Sequence, residues 1–264
     1  MFRLGTNRPN RKQNASGSSG IEISELDGVR ALHIDSVTVQ SAMRMNAPYD
    51  LELTYSRGMM SFLLFKPKLR EVLVLGLGGG SIPKFIHHYL TEMRTTVVEI
   101  NPQVISMARS HFMLPPDDER LQVIEDDGAR HLEAHPSSAE LLILDIFDGQ
   151  GIPPELYSQT FFDRCVEALK VDGMLAVNLW GSDKNFDIYL SRIEQSFGQR
   201  VLVLPTGRPG NIVVFAFRRV PADLRWTTLR EQAKALAELY KIEFLEFVER
   251  LRDNNNYTSN RLII

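Results

Sequence analysis

Asp145 closes the apolar run LLILD, and Asp148 follows it ahead of the loop GQGIPP and the segment ELYSQTFFDRCVEAL. Two carboxylates so placed can attract a cationic amine and accept its proton, whereas a purely structural carboxylate would cap a helix. Asp145 stands too far ahead of the helix expected from Pro154 to be its cap. Upstream, Glu99 closes the run VVE roughly 20 residues after a glycine-rich stretch, where an acid can accept hydrogen bonds from both hydroxyls of a ribose. Asp126 and Asp127, in EDDG, end a further run and can accept from an adenine amino group. Taken singly, Glu99 and Asp127 could each cap the helix that follows. Taken together, these run ends carry nucleoside chemistry.

The glycine-rich stretch is VLVLGLGGGS, residues 72–81, with Gly76, Gly78, Gly79 and Gly80 directly after an apolar run. Glycines at that point let backbone approach a ligand closely and adopt dihedrals that other residues resist. A bare glycine turn can equally serve strand-to-helix packing. Pyrophosphate binding uses a G-x-G-x-x-G loop that opens directly into a helix. Here GLGGGSIP puts Pro83 near the helix start, where a first turn tolerates it. The arrangement resembles S-adenosylmethionine-type Rossmann-like domains more than dinucleotide-binding ones, so NAD is the less favoured ligand.

The elements that must hold these residues follow from periodicity. From Lys68 onward short continuous apolar runs (VLVLGL, TTVVEI, LQVIED, LLILDIF, MLAVNLW) alternate with helical segments, the pattern of a mostly parallel sheet covered on both faces. RVLVLPTG and NIVVFAFRR can pair as an antiparallel edge. Before Lys68, alternation in IEISEL and VTVQS predicts half-buried antiparallel strands, followed by a helical stretch from Tyr49 to Leu64. LREQAKALAELYKIEFLEFVERLR has apolar residues at helical spacing and predicts one helix packed on the body, with NNNYTSNRLII as a tail. The expected organisation is a disordered tail over 1–20, a β-rich domain over 21–66, a doubly wound α/β Rossmann-like domain over 67–219, and a C-terminal helix and tail over 220–264.

The 264 residues carry a formal net charge of -3, are 44% hydrophobic and include one cysteine. That is enough apolar material for a sizeable core. Cys165 cannot form an internal disulfide and fits a packed helix, which points to a reducing compartment. No apolar run approaches a membrane span or a signal-peptide core, so the cytoplasm is the expected location. Mild acidity argues against a broad nucleic-acid surface, and the basic Arg3, Arg8, Arg11 and Lys12 read as a solvated tail. His87 and His88 are adjacent and His131 and His135 lie four apart without a completing carboxylate or cysteine; the His131/His135 pair reads as a solvated face, and no metal site is expected.

Over residues 28–219 the chain resembles the spermidine synthase family, the polyamine aminopropyltransferases. LHIDSVTVQS and TYSRGM resemble its N-terminal β domain and substrate-facing segment, VLVLGLGGGS its glycine loop, VVEI its ribose strand, EDDGARHL its adenine loop and LDIFDGQGIPPELYSQTFF its catalytic D-x-x-D loop. The resemblance implies transfer of an aminopropyl group from decarboxylated S-adenosylmethionine, as co-substrate, to an amine such as putrescine, leaving methylthioadenosine. Asp145 would then deprotonate the amine, Asp148 help to hold it, Tyr55 reach the active site, and Glu99, Asp126, Asp127 and Gly128 bind the nucleoside beside Gly76, Gly78 and Gly79. No tightly bound cofactor and no metal are implied, because the thioether leaves neutral. A homo-oligomer, dimer or tetramer, is implied by analogy. The chain departs from the family at Gly79, where an aspartate is usual, at Phe147 inside the catalytic loop, at Ser56 in place of glutamine, and in PTGRPGN, which carries Arg208 and lacks a tyrosine. The departures leave two alternatives: a methyltransferase using S-adenosylmethionine itself, and an inactive nucleoside-binding relative.

Overall fold

The computed structural model describes residues 20–34, 39–146, 154–207 and 210–264. Asp148, Phe147, Arg208 and the basic N-terminal stretch lie outside the described residues.

Strands β1 (Ile21–Leu26), β2 (Val29–Ile34) and β3 (Ser41–Arg44) form an antiparallel three-stranded sheet. Alternation in IEISEL does form the first strand. Of the strand expected around VTVQS, Val37 and Thr38 lie outside the described residues; β3 begins at Ser41, which pairs with Leu32, and Val39 and Gln40 precede it. This register puts Ser41, Ala42 and Met43 in buried positions, with Met43 packing on Leu32 and Phe112.

The rest of the chain winds a larger sheet. After α1 (Thr54–Met59) and a 3₁₀ turn over Met60–Leu64 come β4 (Glu71–Leu75), α2 (Ser81–Tyr89), β5 (Arg94–Glu99), α3 (Pro102–His111), β6 (Leu121–Glu125), α4 (Gly128–Ala134) and β7 (Ala139–Leu144). There follow α5 (Gln159–Ala168), β8 (Leu169–Trp180), α6 (Phe186–Ser196), β9 (Val201–Pro205) and β10 (Asn211–Phe217). The seven strands lie in the order β6-β5-β4-β7-β8-β10-β9, parallel from β6 to β8 and antiparallel through the β8, β10 and β9 edge. The apolar runs are continuous because both faces are covered. Val72, Val74, Val97, Leu141 and Ile143 enter one core, while Leu73, Leu75, Val98, Leu142 and Leu144 enter the other. Cys165 is buried in α5, unpaired. Strand order reverses between β4 and β7, which opens a crevice at the C-terminal ends of these two strands.

The C-terminal segment is two helices, not one: α7 (Trp226–Tyr240) and α8 (Phe244–Asn254). Lys241 adopts a left-handed φ of 57° between them. Ile242 and Phe244 are both buried, and residues two apart point to opposite sides of a continuous helix, so the break brings both inward. The segment read as a tail also docks: Leu262 is buried and bridges to Tyr257, and Trp226 Nε1 donates to the Thr258 carbonyl at 3.0 Å.

Candidate active site

A cavity of about 470 Å³ occupies the crevice where strand order reverses. Its walls come from the loop after β4 (Gly76, Leu77, Gly78), the start of α2 (Ser81), the end of β5 (Glu99), the start of α4 (Asp127, Gly128) and the end of β7 (Asp145, Ile146). Gln40, Ser41 and Tyr55 close it from the N-terminal side. The two central strand ends are tied together: Asp145 N donates to the Leu75 carbonyl at 3.0 Å. Gly76, at φ 92°, has Asp145 O only 2.3 Å from where a Cβ would stand. This glycine is therefore required by the approach of β7 backbone, independently of any ligand.

Asp145 is half-buried on the cavity wall and bonded at both oxygens. Tyr55 Oη donates to Oδ2 at 3.1 Å, and Asn178 Nδ2 donates to Oδ1 at 2.9 Å. Asn178 Oδ1 in turn accepts from Asn211 Nδ2 at 2.8 Å. Burial pushes the Asp145 carboxyl above the ordinary aspartate range, and the bonds from Asn178 and Tyr55 oppose the rise. Burial and the neighbouring carboxylate push Tyr55 well above its usual value, which keeps its proton in place as a donor. A carboxylate in this setting is a stronger base than one in water, since taking up a proton removes a buried charge. Asn178 and Asn211 escaped the sequence reading; the available signal was a lone amide inside the apolar run LAVNLW.

At the opposite end, Glu99 Oε2 accepts from Leu77 N at 3.0 Å and Oε1 from Asn101 N at 2.9 Å. Its carboxyl pins the glycine loop while lining the cavity, and each oxygen retains a lone pair for a ribose hydroxyl. Burial raises its pKa, opposed by these backbone donors. Glu99 does not cap α3; Asn101 does, accepting from Gln103 N. Asp127 does cap α4, accepting from Arg130 N at 2.8 Å, and it lines the cavity as well. Asp126 is placed elsewhere: it is held by the Arg130 guanidinium, accepts from Asp127 N and is not part of the cavity wall.

Gly79 also lies off the cavity wall. A Cβ there would stand 2.8 Å from Ser41 Oγ and 2.9 Å from the Phe112 ring, so the glycine serves packing. Ser41 Oγ and Ser81 Oγ, 3.0 Å apart, form an uncharged stretch of wall beside it. Of the histidine pair only His135 is exposed: His131 is buried, because α4 turns that side onto the sheet, and its ring stacks on His135 at 4.1 Å. Among the described residues no group of His, Cys, Asp and Glu is arranged to hold a metal ion.

A family model for the spermine/spermidine synthase domain matches residues 52–196. The chain belongs to this family. A family relative, the polyamine aminopropyltransferase of Chromobacterium violaceum, is 40% identical over 244 residues, covering 92% of this chain and 94% of that protein. Solved structures of spermine/spermidine synthase relatives share the fold. A probable spermidine synthase from Corynebacterium glutamicum superposes with a TM-score of 0.71 at 18% identity, covering 97% of this chain and 100% of that one. A spermidine synthase in complex with the transition-state analogue AdoDATO gives 0.60 at 20% identity, covering 86% and 84%. The motifs quoted from the sequence thus led to the right family and the right fold. Among the described residues no helix is long and apolar enough to cross a membrane.

Proposed function

We propose that the chain is a polyamine aminopropyltransferase that moves the aminopropyl group of decarboxylated S-adenosylmethionine to an amine such as putrescine, giving spermidine and methylthioadenosine. The observation that carries this reading is the half-buried Asp145, held by Tyr55, on the wall of the same cavity that Glu99 and Asp127 line. Glu99 takes the ribose hydroxyls, Asp127 and Gly128 take the adenine, and the backbone of Gly76 and Gly78 lies against the nucleoside. The amine arrives as an ammonium, drawn by the Asp145 carboxylate, and gives it one proton. Its freed lone pair attacks the carbon next to the sulfonium; the C–N bond forms as the C–S bond breaks, and sulfur leaves as a neutral thioether. The barrier falls through deprotonation and alignment, with no charge on the leaving group to neutralise.

The same reading takes the amine and the nucleoside donor as the partners, a homo-oligomer as the assembly, the cytoplasm as the location, and 21–66, 67–219 and 220–264 as the working divisions of the chain. Asp148 would share the amine with Asp145. A second reading, methyl transfer from S-adenosylmethionine, draws on the uncharged wall of Gly78, Ser41 and Ser81. One experiment separates them: mass spectrometry of products from purified protein given decarboxylated S-adenosylmethionine with a panel of diamines, and S-adenosylmethionine in parallel. Methylthioadenosine with an aminopropylated amine is the expected result. S-adenosylhomocysteine with a methylated product would replace the first reading by the second.

A further inference from the structure

Asn178 is 1% exposed, sits on β8 and touches Asp145 without lining the cavity. In the antiparallel pairing of β8 with β10, Asn178 stands opposite Val213 and Asn211 opposite Trp180, so the two amides are diagonal neighbours on one face of the sheet. Which end of each amide points where is dictated by chemistry. An ionised carboxylate only accepts, so Asn178 must turn its NH₂ to Asp145; its carbonyl then faces Asn211, which must donate. The chain of bonds runs in one direction only, from Asn211 through Asn178 to Asp145.

We propose that Asn178 and Asn211 are positioning residues that act as a directional amide relay, in which Asn211 locks the Asn178 amide so that Asp145 always meets an N–H and never a C=O. The proposal rests on the reading of Asp145 as the group that takes the amine's proton. With Oδ1 engaged by Asn178 and Oδ2 by Tyr55, the carboxylate plane is fixed from two sides, one held by the sheet and the other by α1. Among the described residues, the titratable groups set against Asp145 are Tyr55 and Tyr157, both held protonated by burial, with Glu99 and Asp127 on the same cavity wall; the relay is a neutral amide contact whose sense can be inverted. Inverting it would turn a donor into an acceptor against the carboxylate.

The test is an infrared titration of the Asp145 carboxyl band, assigned with Asp145→Asn, together with the pH dependence of kcat/KM. Asn178→Leu removes the donor, and its carboxyl midpoint is expected about one pH unit higher, the size of one lost hydrogen bond to a charged group. Asn211→Asp touches no atom of Asp145, yet it can only accept from Asn178 and so pulls the amide round; the same upward shift is expected, with the acid limb of kcat/KM moving in step. Asn211→Leu, which offers nothing to accept, should shift the midpoint less than Asn211→Asp. In the double variant Asn178→Leu/Asn211→Asp the shifts should not add, because there is no amide left to turn; additive shifts would show a through-space charge effect and overturn the relay. Unchanged titration in Asn178→Leu and in Asn211→Asp, with methylthioadenosine still bound as proof of an intact fold, would also overturn it. If Asp145→Asn keeps full activity, the assignment of the base fails instead, and the infrared data alone decide the relay.

Discussion

Asp145 combines burial, which favours its protonated form, with two donors that favour the carboxylate, and its usefulness as a base depends on that balance. Tyr55→Phe removes one donor without opening space. The carboxyl should then titrate higher still, so the acid limb of kcat/KM should move to higher pH by about one unit and activity on that limb should fall about tenfold, the scale of a hydrogen bond to a charged group. An unshifted limb in a pH-rate profile would show that the Tyr55 contact does not reach the reacting proton. Glu99 has a different weakness, because its oxygens already receive Leu77 N–H and Asn101 N–H. In Glu99→Gln the new NH₂ must face one of these donors, so methylthioadenosine affinity measured by calorimetry should drop at least about tenfold. These carboxylates were legible in the sequence because each ends a strand at the sheet's C-terminal edge. Gly79 and Asp126 stand off the cavity wall for a common reason: what surrounds them, Phe112 and Ser41 in one case and Arg130 in the other, is packing that motif spacing does not encode. Asn178 and Asn211 were invisible because their partners are brought together only by strand pairing.

Strand by strand, the larger sheet could be read directly, since apolar continuity is what two-sided burial demands. The C-terminal helices could not: LYKIEF keeps helical composition through a point where the chain reverses, and the reversal is fixed by the burial of Ile242 and Phe244. The turn matters to α1, the element that carries Tyr55. Arg57 Nε reaches both oxygens of Glu243 at 3.0 and 2.9 Å, while its Nη1 donates to the Leu51 and Glu52 carbonyls. One guanidinium thus joins the approach to α1, the helix itself and the start of α8. Arg57→Ala leaves two carbonyls and a half-buried carboxylate without their donor and should lower unfolding free energy by about 2 kcal/mol. Glu243→Gln, which keeps a carbonyl oxygen for Arg57 at a partly solvated site, should cost about 1 kcal/mol or less. Denaturant titration of the two variants checks the ranking, and equal losses would mean that only the ion pair, and not the backbone contacts, holds α1.

Lys84 belongs to the scale of the whole molecule, because it lies where the small sheet meets the large one. It is 1% exposed on α2, donates to the Phe112 carbonyl at 2.6 Å and lies 3.2 Å from Met43 Sδ on β3. Burial pushes its pKa down, to about 8. In the unfolded chain the same amine titrates near ~10.4. Below pH 8 both states hold the proton, and the folded protein bears the full cost of an enclosed ammonium. As pH rises from 8 towards ~10.4 the folded state releases its proton first, the unfolded state binds more protons, and this group's contribution to stability rises with pH. The full span corresponds to at most about 3 kcal/mol. Lys84→Met fills similar volume and cannot titrate, so subtracting its unfolding free energy from that of the unaltered protein removes the tyrosines and other groups that titrate in the same range. The difference should climb in favour of lysine from pH 8 and level off above ~10.4. A flat difference would mean that Nζ keeps its water, which requires the contact between β3 and α2 to stand open. The slope therefore reports whether the three-stranded sheet sits closed over the glycine loop in solution, which is the condition for Ser41 to wall the cavity.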